Sequence, residues 1–193
     1  MIKKLIILLL SFFDFFHQRK IIKFLSKKNL TKIDILFDVG AHKGESIGLF
    51  LKNMNVKKII SFEPSPINFL RLKNIKEHYI KKFNKTDIII ENIGLGNENK
   101  EINFKQFEES SSSTMKEIDE ESSYFKKKFN LLNFFIKKKK YEILKVKITT
   151  LEDYMNLNNI NKISFLKIDT EGYEYEVLKG LKKKNSISRY DNV

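Results

Sequence analysis

The chain has 193 residues, enough for one domain with a sizeable core, and its 41% hydrophobic content excludes a globally disordered polypeptide. It has no cysteine, which excludes a disulfide framework and any cysteine-ligated metal site. A formal net charge of +13 fits nucleic acid, anionic glycans or an anionic membrane surface, but the lysines lie everywhere, arginines are few and no basic-aromatic stacking platform stands out, so a Lys/Ile/Asn-rich composition accounts for it without a specific nucleic-acid partner.

Residues 1–30 read as a helical leader. Lys3 and Lys4 precede an apolar run, Leu5 to Phe13, which continues through Asp14 to Phe15 and Phe16. A signal peptide has such regions, but His17-Gln18-Arg19-Lys20 stands where a small-residue cleavage site would be. The run is short for a bilayer span, which takes about 20 apolar residues. A helix from Ile2 to Leu25 has a broad Leu/Ile/Phe face. That face can lie in a membrane interface or dock on the domain or a partner subunit. The expected location is cytoplasmic, with membrane contact through residues 1–25 as the open alternative.

Residues 31–193 then alternate strands and helices. The first strand, Ile35–Val39, runs into Asp38-Val39-Gly40-Ala41-His42-Lys43-Gly44, and a helix follows to Asn53. The second strand, Lys58–Phe62, ends at Glu63-Pro64. Strand, glycine turn, helix, strand and carboxylate is the layout of a nucleotide or nucleoside site on a parallel sheet. Gly40 and Gly44 permit a sharp turn and a close backbone approach. Glu63 is placed to accept hydrogen bonds from ribose hydroxyls. The spacing is Gly-x-x-x-Gly, not the G-x-G-x-x-G of a pyrophosphate turn. Asp38 would repel a pyrophosphate but suits an ammonium, directly or through water. A ligand with a ribose and an amino-acid end fits better, and S-adenosylmethionine is one. The alternative is an ordinary βαβ turn without a ligand.

Pro66 suits the first turn of a helix to about Tyr79, with Phe69, Leu70, Leu72 and Ile75 available to a sheet. Ile88–Ile93 is a third strand, loosened by Gly94-Leu95-Gly96. Turn residues 97–100 and the alternating Glu101–Phe104 predict a β-hairpin there. Residues 108–141 hold a serine run, an acidic patch and four consecutive lysines, the composition of a recognition lid or a solvated loop. Val146 and Ile148 alternate in a strand. Thr150 is a helix cap with Asp153 as its box partner. Ile163–Ile168 is a further strand ending at Asp169, and Tyr173–Leu181 is a helix with Tyr173, Val177 and Leu178 toward the core. Such alternation predicts a mostly parallel α/β sheet with right-handed crossovers and helices on both faces.

Several strings together resemble one family. They are Phe37-Asp38-Val39-Gly40-Ala41-His42-Lys43-Gly44, Phe62-Glu63-Pro64-Ser65, Asn92-Ile93-Gly94-Leu95-Gly96, Ser111-Ser112-Ser113, Thr149-Thr150-Leu151-Glu152-Asp153 and Leu166-Lys167-Ile168-Asp169-Thr170-Glu171-Gly172-Tyr173-Glu174. In this order they resemble the FkbM-type methyltransferases across about residues 33–182. The resemblance implies a Rossmann-like class I methyltransferase fold, S-adenosylmethionine as donor, and O-methylation of a hydroxyl on a sugar or other small metabolite. It implies that Asp38, Gly40, Ala41, His42 and Gly44 line the methionine end, Glu63 holds the ribose and Asn92 approaches the adenine. Asp169 and Glu171 would face the methyl group and acceptor.

Two departures stand out. His42 occupies a position where the family commonly has Asn. After Leu181 the chain shows no apolar strand where the family continues its sheet, so the expectation is a truncated methyltransferase, open to self-association through an uncovered sheet edge. A catalytically inactive nucleoside-binding module or a membrane-surface scaffold is the alternative. Asp169 and Glu171, two residues apart across a turn, could share acceptor deprotonation and orientation, or hold a divalent cation. Otherwise Asp169 contacts cofactor and Glu171 caps the next helix.

Overall fold

The computed structural model describes residues 19–107 and 141–181. The Leu5–Phe16 run, most of the 108–141 insertion and the segment after Leu181 lie outside the described residues. The elements are β1 (Lys32–Val39), α1 (Glu45–Asn53), β2 (Asn55–Phe62), α2 (Pro66–Lys82), β3 (Asp87–Glu91), β4 (Gly94–Gly96), β5 (Lys100–Phe107), β6 (Tyr141–Thr150), α3 (Leu151–Leu157), β7 (Phe165–Ile168) and α4 (Glu174–Lys179).

A four-stranded parallel sheet has the order β3-β2-β1-β7. Alternation along β1 and β2 fills two cores, because successive side chains leave opposite faces. On one face Leu36 and Ile59 pack with Ile47, Phe50 and Leu51 of α1 and Leu72 of α2. On the other, Phe37, Val39, Ile60 and Phe62 pack with Leu95, with Leu151, Tyr154 and Met155 of α3, and with Val177 of α4. The Tyr154 ring stands edge-on to Phe37 and Phe62, at 5.9 and 4.8 Å between centroids. The result is a sheet between two helical layers, as the α/β alternation predicts. Helical residues 19–27 dock on the first core through Leu25 and Ile22, while Ile21 and Phe24 stay exposed. Among the described residues no helix is long and apolar enough to cross a membrane.

The second sheet corrects the hairpin expectation. Gly94–Gly96 forms a strand of its own, and β4 and β5 do not pair with each other. β6 lies between them, parallel to β4 and antiparallel to β5. The turn at 97–99 therefore spreads two strands around a third that arrives much later in the chain. Phe104, Val146 and Ile148 form the small core of this sheet.

The helix starts follow the sequence chemistry. Ser65 Oγ accepts from the Asn68 amide ahead of α2, whose first residue is Pro66. Thr150 Oγ1 accepts from the Asp153 amide ahead of α3. The reciprocal half of that box differs from expectation. The Thr150 amide donates to Asn99 Oδ1, and Asp153 Oδ2 accepts from Asn99 Nδ2 at 2.8 Å. Asn99 does the work assigned to Asp153 because the β4–β5 turn lies beside the cap. In α4, Val177 is buried but Leu178 is 47% exposed, since the helix turns it away from the sheet.

Candidate functional site

The carboxyl ends of β1, β2, β3 and β7 lie side by side, so the turns that follow them converge at one edge of the sheet. Ligands of open α/β sheets bind in such a crevice. The β1 turn needs positive φ at Gly40 (76°), His42 (51°) and Gly44 (82°). Gly40 has a second constraint: a Cβ there would run into the backbone carbonyl of Asp169, well inside van der Waals contact. The β1 and β7 turns can be this close only because residue 40 lacks a side chain. His42 takes a conformation in which Asn, Asp and His are enriched, which explains why His can stand where the family commonly has Asn. Its Nδ1 lies 3.5 Å from Glu45 Oε1. Gly44 heads α1, and its Cα faces Leu72 and Ile75 of α2. Ala41 is buried in the first core, so the turn presents its backbone there.

The turn's amides are directed inward. Those of Gly40 and Ala41 both donate to Phe62 O, at 3.0 and 3.1 Å. The next amide, of His42, donates to Glu63 Oε2 at 2.8 Å, and Ser65 N donates to Glu63 Oε1 at 3.0 Å. A pyrophosphate site needs such amides free to face the ligand. Here the strand exit and the Glu63 carboxylate take them.

Glu63 is 5% exposed. Burial pushes its carboxyl above the ordinary range, against the opposing pull of the Ser65 and His42 amides. Asn92, the residue after β3, braces the same point: its Nδ2 donates to Glu63 O at 2.9 Å and to Pro64 O at 3.2 Å. Gln106 of β5 is buried and hydrogen-bonded to Ser65, so the second sheet reaches over this exit.

Asp38 is 0% exposed. Ser46 Oγ donates to its Oδ2 at 2.5 Å. The Lys167 ammonium stands 3.0 Å from its Oδ1, a close ion pair whose angles leave Oδ1 without a hydrogen bond. The same ammonium donates to Gly40 O at 3.0 Å and lies 3.7 Å from Asp169 Oδ2. The ammonium expected against Asp38 is thus supplied by the protein itself.

Asp169 follows β7 with a side chain 69% exposed, and Glu171 sits in the same turn with φ 52°. Glu174, the first residue of α4, closes this turn rather than capping the helix: its Oε1 accepts from the amides of Thr170 and Gly172 and from Thr170 Oγ1. Those amides draw the Glu174 carboxyl below the usual range despite the opposing cost of burial. Among the described residues no group of three or more His, Asp or Glu side chains could hold a metal ion.

The sheet therefore brings Asp38, Gly40 and Asp169 together across β1 and β7, and His42, Glu63 and Asn92 together across β1, β2 and β3. Gly44 and Ala41 belong to the scaffold of the turn, through packing. Lys167 and Ser46 were missed in the sequence reading. A lone cation between Leu166 and Ile168 on a strand was the available signal, since a charge inside an apolar run requires a partner.

No curated protein matches the chain. The crystal structure of a methyltransferase FkbM from Methylobacillus flagellatus KT is similar, with 18% identity and a TM-score of 0.49. The match covers 78% of this chain and 29% of that one, so the chain spans under a third of that protein's length. The family model for the methyltransferase FkbM domain matches residues 38–192, from the acid at the end of β1 onward. By that match, the chain belongs to the FkbM methyltransferase domain family.

Proposed function

We propose that the protein is an S-adenosylmethionine-dependent methyltransferase that O-methylates a hydroxyl of a sugar or another small metabolite. The observation that carries this reading is the β1–β2 arrangement: turn amides bonded inward to Phe62 O and Glu63, beside a buried carboxylate at the β2 exit. That arrangement is unsuited to a pyrophosphate and suited to a ribose diol, because the acceptor sites of a carboxylate's two oxygens exceed the two backbone amides and the Asn68 side chain that Glu63 receives. Family membership supports the donor.

The donor would supply an already activated methyl group. The protein's part is then to align an acceptor hydroxyl and take its proton. Glu63 would hold the ribose and Asn92 would keep the β2 exit in place beside the adenine. Asp169 is exposed at the β7 exit, next to the Gly40 turn, and is the carboxylate best placed to meet the acceptor proton. Glu171, in the same turn, would orient the acceptor. Calorimetry with S-adenosylhomocysteine and with NADH tests the donor: binding of the first and not the second is expected, and the reverse would overturn the reading. Transfer of labelled methyl to a panel of hydroxylated sugars, compared with amines and thiols, tests the acceptor class.

A further inference from the structure

Lys167 is out of place on a strand that packs against the core. Its neighbours Leu166 and Ile168 pack into the second core. Its own side chain is 22% exposed, and its ammonium lies at the convergence of the β1 and β7 turns. Asp38 beneath it has no exposure at all. Whatever approaches this end of the crevice therefore meets the Lys167 ammonium before it meets Asp38.

An ammonium has three N–H donors. One is given to Gly40 O in a well-formed hydrogen bond. The Asp38 pair is close but off the hydrogen-bond line, and Asp169 Oδ2 at 3.7 Å is beyond hydrogen-bond reach. The cation is thus fixed in position by Asp38 and Gly40 O while retaining donor capacity on a side chain that is partly exposed. Beside it, the exposed Asp169 carboxylate completes a pair of opposite charges at the mouth. An α-amino acid end that enters here meets the Lys167 ammonium with its carboxylate, which leaves the outer Asp169 carboxylate to the acceptor.

We propose that Lys167 is a ligand-recognition residue that binds the carboxylate of the donor's amino-acid end, so that the site discriminates a zwitterionic nucleoside from one lacking the carboxylate. This rests on the S-adenosylmethionine reading above.

The test uses the full chain and three probes in calorimetry: S-adenosylhomocysteine, its decarboxylated analogue that keeps the amine, and methylthioadenosine, which lacks both groups. The native chain should bind S-adenosylhomocysteine about tenfold or more tightly than the decarboxylated analogue, the size of a lost charge-assisted hydrogen bond. In Lys167→Met that ratio should collapse toward unity, with methylthioadenosine binding unchanged, and Lys167→Arg should restore much of the ratio. Equal native affinity for the first two probes overturns the proposal without any variant having to fold. A Lys167→Met chain that weakens all three probes alike also overturns it, because the lysine then acts only by supporting the fold. If the native chain binds none of the three, the donor reading falls and this proposal falls with it. Binding of S-adenosylhomocysteine with an undiminished ratio in Lys167→Met removes the proposal alone.

Discussion

The His42 amide donates to Glu63 Oε2 at 2.8 Å, across 21 positions of sequence. This one bond ties the glycine turn after β1 to the carboxylate after β2. The shape of the turn and the placement of the acid are therefore not independent, and substitutions in either should be felt in both.

Replacing Glu63 by Ala should weaken S-adenosylhomocysteine binding at least about tenfold. Each charge-assisted hydrogen bond to a ribose hydroxyl is worth roughly 1.5–3 kcal/mol. Calorimetry reads the loss, and circular dichroism should show the fold retained. Unchanged affinity would remove Glu63 from the site.

Acidification should weaken the same binding at a higher pH than an ordinary glutamate would set. Burial raises the Glu63 pKa above its usual 4.5, and a protonated carboxyl is a poorer acceptor for ribose hydroxyls. The stability sign is opposite. The folded chain holds this proton more tightly than the unfolded one, so ionising Glu63 works against folding above the raised pKa, and acidification relieves that cost. A pH series of dissociation constants, compared with a Glu63→Gln chain that should lack this inflection, checks the assignment.

Gly40→Ala should be strongly destabilising. A left-handed alanine costs roughly 1–2 kcal/mol by itself, and here the new methyl also collides with Asp169 O. The total should exceed that figure in urea unfolding. A neutral result would mean that the β1 and β7 turns separate easily.

Deleting residues 1–18 should abolish flotation with anionic vesicles and leave S-adenosylhomocysteine binding intact. The motivation is the Leu5–Phe16 run beside Lys3 and Lys4, continued by exposed Ile21 and Phe24 on a helix whose other side, through Leu25, is docked on the core. Equal flotation of both chains would assign the leader to docking alone.

How much of this was legible in the sequence depends on whether the cause was local. The buried ends of β1 and β2 were readable because Leu36, Phe37 and Val39, and Ile59, Ile60 and Phe62, put apolar side chains on both faces. Their starts were not, because Lys32–Asp34 and Asn55–Lys57 are polar or exposed at alternate positions and are held as strand by pairing with each other. Gly94–Gly96 gave no strand signal at all. Glycine is depleted in strands, and this one exists because β6 arrives from more than 40 positions away. The site shows the same division. Asp38, Gly40 and Glu63 announced themselves by spacing within one βαβ unit. Lys167 acquired its meaning only when β7 paired with β1 and set it against Asp38 and Gly40 O.

Phe107 and Tyr141 are opposite one another in the β5–β6 register. The intervening segment thus leaves and rejoins the framework at a single point, across a ladder already closed by its own backbone pairing. Closing a longer loop over fixed ends costs only about 0.6 kcal/mol per doubling of length. That stretch can therefore be lengthened or shortened as a cassette while the β5–β6 ladder and the turns at the carboxyl ends of the parallel sheet keep their geometry.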